Sequence, residues 1–190
     1  GSSPAVTVGT IGTASCVPGN DGTIQLTAAG GSTSAFHHWD FTICTDAGMT
    51  TSCQTFSGTS TFGDNTTGNV HTFTGLSAGT YYATVTPCFG VNGLTCQSAS
   101  AVSAVITVPQ LGGPTFSITP TNPTCVGACD GSIAPNPSGG TAPYLYQYWH
   151  TTNLAWTPAG GTTWASFVTT GHCDGFNETF RVLDANGCSA

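Results

Sequence analysis

Two stretches of this chain repeat each other 109 residues apart. Cys16-Val17-Pro18-Gly19-Asn20-Asp21-Gly22-Thr23-Ile24 leads through Gly30-Gly31 to Phe36-His37-His38-Trp39. Cys125-Val126-Gly127-Ala128-Cys129-Asp130-Gly131-Ser132-Ile133 leads through Gly139-Gly140 to Leu145-Tyr146-Gln147-Tyr148. The two align from Cys16 to Trp39 and from Cys125 to Tyr148 without a gap. Internal repetition makes a chain an array of similar units and sets where each begins. The 190 residues therefore read as two domains, 1–109 and 110–190, rather than one large one.

Charge narrows the function classes. The chain has one basic side chain, Arg181, against eight acids, for a formal charge of −7. Nucleic-acid binding needs clustered Lys and Arg to displace phosphate counterions, so it is excluded. Attraction to anionic lipid fails for the same reason, and no apolar run has the roughly 18 residues that a membrane-spanning helix needs, so no membrane insertion is expected. With 35 Thr and 17 Ser among 38% hydrophobic residues, solubility rests on hydroxyls. Threonine is β-branched and suits strands; 26 Gly and 11 Pro supply turns. The composition is all-β. The chain starts at Gly1 with neither an initiator Met nor a signal-peptide pattern, and is expected to be a processed chain or an excised piece.

Nine cysteines across both repeats point to disulfides in an oxidising compartment rather than zinc, whose paired C-x2-C motifs are missing. Repeat equivalence suggests the pairing. Cys16 and Cys125 open their repeats, while Cys96 and Cys188 close them, so Cys16–Cys96 and Cys125–Cys188 are expected. A staple over roughly 60 to 80 residues is worth about 4 kcal/mol in the chain-entropy model. Cys44–Cys53 would close a local loop and Cys129–Cys173 would add a second staple, leaving Cys88 unpaired or intermolecular.

Alternating segments predict strands at 5–8, 23–28, 36–44, 71–73, 80–86 and 101–108, then at 116–119, 132–135, 144–150, 164–169 and 178–183. Short strands with turn signals about every ten residues describe two tandem immunoglobulin-like β-sandwiches, with an inserted disulfide loop near 44–70 in the first. Repeat 1 carries a final strand after Cys96, but the sequence given ends two residues after Cys188. Repeat 2 thus lacks its own final strand. Three resolutions stand open: the chain continues past Ala190, another subunit donates a strand, or the domain tolerates the loss.

These residues resemble a known family. Gly139-Gly140-Thr141-Ala142-Pro143-Tyr144, the preceding Cys125 with Asp130-Gly131-Ser132-Ile133, and Val182-Leu183-Asp184-Ala185-Asn186-Gly187-Cys188-Ser189-Ala190 are similar to the SprB-type repeat of Bacteroidota surface adhesins. Gly75-Leu76-Ser77-Ala78-Gly79-Thr80-Tyr81 resembles the same family's lead into its penultimate strand. The resemblance implies an immunoglobulin-like module of a secreted bacterial protein, exported to the cell surface and used in long fibres. It carries no catalytic residues to transfer.

Individual residues invite sharper readings. Asp21-Gly22 and Asp130-Gly131 are turn pairs, because calcium would need six or more oxygens and each repeat has four scattered acids. Strand alternation places Phe36, His38 and Asp40 opposite His37, Trp39 and Phe41, so His37-His38 does not converge on a metal. The same alternation makes Trp39 and its equivalent Tyr148 core members. Trp149, Trp156 and Trp164 could stack on sugar rings or fill an interface. His172-Cys173-Asp174 holds triad letters in one loop, without the separate elements a nucleophile needs. Asn65 and Asn177 head glycosylation sequons. The expectation is a non-enzymatic extracellular structural or adhesive protein with no cofactor or metal. Its partners would be copies of itself, adjacent repeats of a longer chain, or surface glycans. Two alternatives stay open beside that reading: a secreted carbohydrate-binding module and a self-assembling filament subunit.

Overall fold

The computed structural model describes residues 2–16, 19–31, 36–58, 68–90, 95–150, 155–157, 169–172 and 179–190. All its regular elements are strands, and the chain divides into two compact units, Gly1–Gln110 and Leu111–Ala190.

Unit 1 is a two-sheet sandwich. One sheet runs β1 (Ser2–Gly12), β2 (Gly22–Gly31), β5 (Val70–Leu76). The other runs β4 (Gln54–Ser57), β3 (Phe36–Cys44), β6 (Gly79–Phe89), β7 (Thr95–Cys96), and β8 (Ile106–Val108) pairs with the start of β6. Period-two alternation builds the core. Ile24, Leu26 and Ala28 from β2 meet Phe36, Trp39, Phe41 and Ile43 from β3 and Tyr81, Ala83 and Val85 from β6, all buried. The segment expected as an insertion supplies an edge strand, β4, which pairs with β3.

The final strand of unit 1 is shorter than expected. Only Ile106–Val108 is regular; residues 97–103 follow β6 irregularly, with Ser100 N donating to Val85 O and Ser103 N to Ala83 O. The hydroxyls of Ser100 and Ser103 accept from the N–H groups of Val85 and Ala83, replacing ladder carbonyls. Serine readily substitutes side chain for backbone in this way, which breaks the strand. Ile106 and Val108 then turn inward and are 2% and 1% exposed.

Unit 2 reproduces the topology. Its first sheet runs β9 (Pro114–Thr121), β10 (Gly131–Gly139), β13 (Thr169–His172), and its second β12 (Ala155–Thr157), β11 (Leu145–His150), β14 (Phe180–Leu183). After Cys188 the chain folds back onto β14: Ala190 and Val182 exchange two backbone hydrogen bonds, and Ser189 bridges Leu183. Along Phe180 and Arg181, the described residues place no counterpart of the 97–103 segment that follows β6 in unit 1.

The repeated Gly-Gly has a backbone cause. Gly30, Gly31, Gly139 and Gly140 all sit at positive φ, between 61° and 78°. A side chain at Gly140 would collide with Asp184 Oδ2 and Pro114 N, both 2.8 Å from its Cβ position.

Candidate functional site

Both Asp-Gly turns are clamped alike. Asp21 Oδ1 accepts from Ser15 N at 2.7 Å, and Asp130 Oδ1 from Thr124 N at 2.9 Å, with Thr124 Oγ1 donating to Oδ2 at 2.7 Å. These bonds hold both exposed carboxyls below the usual aspartate range. The repeat thus encodes one loop clamp twice, with each carboxylate serving the residue just before the opening cysteine.

Two expected staples are corrected. Cys88 bonds Cys96, its register partner on β7, so neither Cys16–Cys96 nor an unpaired Cys88 occurs. Cys96 lies at the end of β6, whereas Ala14, just before Cys16, pairs with Pro109 and Gln110 beyond the opposite end. Nine strand steps separate those ends, roughly 30 Å, and a disulfide needs Cα atoms within about 7 Å. Cys125–Cys188 fails for the same reason. Cys188 packs beside Gly113, at the start of β9, while Cys125 follows the far end of that strand and is a free, exposed thiol. Cys44 bonds Cys53. Cys16, Cys129 and Cys188 are also disulfide-bonded; Cys173 lies outside the described residues.

Beside β14 the second unit has a groove. It has a volume of about 410 Å³ and is lined by Phe116, Ser117 and Ile118 of β9 with Thr179 and Phe180. Ile118 is 47% exposed there. In unit 1 the register counterpart of Phe180 is Pro87, and residues 97–103 run beside it, with Gln97 N donating to Pro87 O and Ser100 N to Val85 O, while β8 pairs farther along at Gly79–Tyr81.

On β3 a β-bulge overturns the expected alternation. Phe36 pairs with Phe89 but His38 with Cys88, so two steps on β3 oppose one on β6. His37 and His38 consequently both leave the core, while Phe36, Trp39 and Phe41 enter it. Their Nδ1 atoms lie 2.8 Å apart, and His38 Nε2 is 3.1 Å from Asp40 Oδ1. No signal in the residues announces an extra residue on a strand.

Two of the remaining aromatic candidates lie opposite each other on adjacent strands. Trp149 is half-buried, and it and Trp156 are register partners on β11 and β12. Trp164, Cys173, Asp174 and the sequon residues Asn65 and Asn177 lie outside the described residues. Tyr148 is half-buried rather than core, tilted against Phe180 at 6.5 Å.

An unexpected stack sits at the edge of unit 1. The imidazole of His71 lies flat on Phe56 (3.7 Å, 7°) and edge-on to Phe73 (4.6 Å). Burial lowers its pKa below 6.5, because the charged form is desolvated. A base with a depressed folded pKa contributes stability above its unfolded value and loses it as pH falls from there. Unit 1 is therefore expected to lose thermal stability as pH drops through about 6.5 toward the lowered folded value. In a melting series across pH, His71→Phe should flatten the decline; an unchanged slope would refute it.

No curated protein matches the chain. Among solved structures, the chicken CNTN1 FN1-FN3 domains align with a TM-score of 0.44 and 12% identity, over 99% of this chain and 64% of that one. The fibronectin(III)-like modules of Clostridium thermocellum CbhA align at 0.33 and 15%, over 98% and 89%. Residues 117–148, which span β10 and most of β9 and β11, match the SprB repeat.

Proposed function

We propose that this chain is a structural segment of an extracellular cell-surface adhesin or filament, and that its second unit is completed by a β-strand laid into the groove between β9 and β14. The observation that carries this reading is the groove itself. Phe116, Ile118 and Phe180 line the place where unit 1, at the register counterpart Pro87, lays residues 97–103 along β6. An apolar slot beside a strand edge recruits an extended segment through backbone hydrogen bonds and alternate side chains. The match of residues 117–148 to the SprB repeat supports the adhesin class. The disulfides support an oxidising, extracellular setting. Arg181, the chain's only basic residue, is engaged by Gln147 Oε1 at 2.7 Å, so trypsin-like proteases would have one cleavage position at most.

The test extends the chain. A copy of residues 98–108 fused after Ala190 is expected to raise the melting temperature of unit 2 and to protect the amides of β14 from exchange. The same extension with Ile106→Asp and Val108→Asp should do neither. Equal behaviour of the two extensions would overturn the reading.

A further inference from the structure

The bulge on β3 gathers groups that the fold does not otherwise use. His37 and His38 stand side by side outside the core, and Asp40 follows on the same face. Asp40 Oδ1 is buried and, beyond its 3.1 Å contact with His38 Nε2, has no hydrogen-bond partner among the described residues. Its Oδ2 lies 3.5 Å from Cys88 Sγ, which is closed in a disulfide and has no proton to give. Unit 1 contains no Lys or Arg. Among the described residues this partly buried carboxylate therefore has one neighbour able to bring positive charge, the His38 ring.

We infer that His37 and His38 bind a divalent transition-metal ion of the imidazole-seeking class, Cu2+ or Zn2+, between their Nδ1 atoms, with Asp40 as the positioning residue behind His38. The tautomers follow from the contacts. Asp40 is acceptor-only, so it selects the Nε2–H form of His38 and turns that ring's Nδ1 lone pair toward His37. His37 in turn donates from Nδ1 across the 2.8 Å gap. A metal replaces that shared proton, and the His37 proton moves to its own Nε2, so the exchange balances without a net charge on either ring. Metal–nitrogen bonds of about 2.0–2.1 Å require the two nitrogens to separate by roughly half an ångström, within reach of two partly exposed side chains. Carboxylate, histidine and metal in line is the arrangement that orients ligating imidazoles and raises their basicity. Two imidazoles with open positions for water favour Cu2+ and Zn2+ over Ca2+ or Mg2+, which seek oxygen. Among the described residues, the His38, Asp40 and Cys88 ligand atoms lie within 4.8 Å of one another, so a second ligation mode would arise only if the bridge opened.

The two modes are separable by experiment. The full chain, tag-free, with its disulfides intact and Cys125→Ser removing the free thiol, is titrated with Cu2+ and Zn2+. The titration is followed by calorimetry and by electron paramagnetic resonance of the copper form. One ion per chain with nitrogen hyperfine coupling from two imidazoles is expected, and no binding of Ca2+. His37→Ala and His38→Ala should each weaken binding tenfold or more. Asp40→Asn should weaken it about 10- to 100-fold while leaving the two-nitrogen signature, and Asp40→Glu should recover part of the loss. His71→Gln should bind like the parent. The inference is overturned if copper binds without imidazole coupling, if both histidine variants bind like the parent, or if binding appears only after Cys88–Cys96 is reduced.

Discussion

Trp39→Ala is expected to cost unit 1 about 3–5 kcal/mol, a large share of the roughly 5–15 kcal/mol that holds a domain together. Trp39 is 1% exposed and central to the sandwich. Its ring meets Phe36 at 5.4 Å, and its edge reaches the space above Gly31. Strand β3 cannot move to refill the hole, because it is paired to β4 on one side and β6 on the other. Calorimetry should show the melting temperature of unit 1 falling by at least about 12 °C. Val70→Ala, at a position 49% exposed, should change stability by no more than about 0.5 kcal/mol. Equal effects at the two positions would contradict the core assignment.

The second large effect belongs to Asp184. It is 1% exposed, and its carboxylate closes the corner of unit 2. Oδ1 accepts from Asn186 N and Cys188 N at 2.9 Å, and Oδ2 from Thr141 N at 3.0 Å. Asparagine keeps one acceptor but turns an NH2 group toward a backbone N–H, leaving two donors face to face. Asp184→Asn should therefore lower the melting temperature of unit 2 by at least roughly 10 °C. Burial by itself would raise this carboxyl's pKa, but the N–H groups of Thr141, Cys188 and Asn186 outweigh it and hold the value below 3.8. A depressed folded pKa means stability present above the unfolded value and lost as pH falls through the folded one. The difference between parent and variant should thus shrink as the solution is acidified below about pH 3.8. A difference that stays constant would show the charge to be irrelevant.

Much of the fold was legible because the repeat and the alternation are local patterns. Asp21 and Asp130 were readable as turn residues, and they make the same clamp in both units. The strands around Ile24, Phe41 and Val85 follow from period-two spacing, which survives folding wherever one face is buried. What stayed hidden depends on register. The Cys88–Cys96 bridge requires knowing which residues of β6 and β7 lie opposite, and equivalence between repeats is silent on that. The bulge at His37 inserts one residue into one strand, a local shift that leaves the composition of the segment unchanged. Ser103 fell inside the strand expected at 101–108, yet its hydroxyl and that of Ser100 just before it take ladder bonds and break the strand. The groove of unit 2 was legible only indirectly, as a deficit beside repeat 1. Its lining by Phe116, Ile118 and Phe180 needed the two sheets brought together.

A residue-resolution image of the native assembly tests most directly what fills that groove. An extended segment should lie between β9 and β14, antiparallel to Thr179–Arg181, with apolar side chains two residues apart against Phe116 and Ile118. A groove left empty in the assembly, or filled by anything other than a strand, would contradict it.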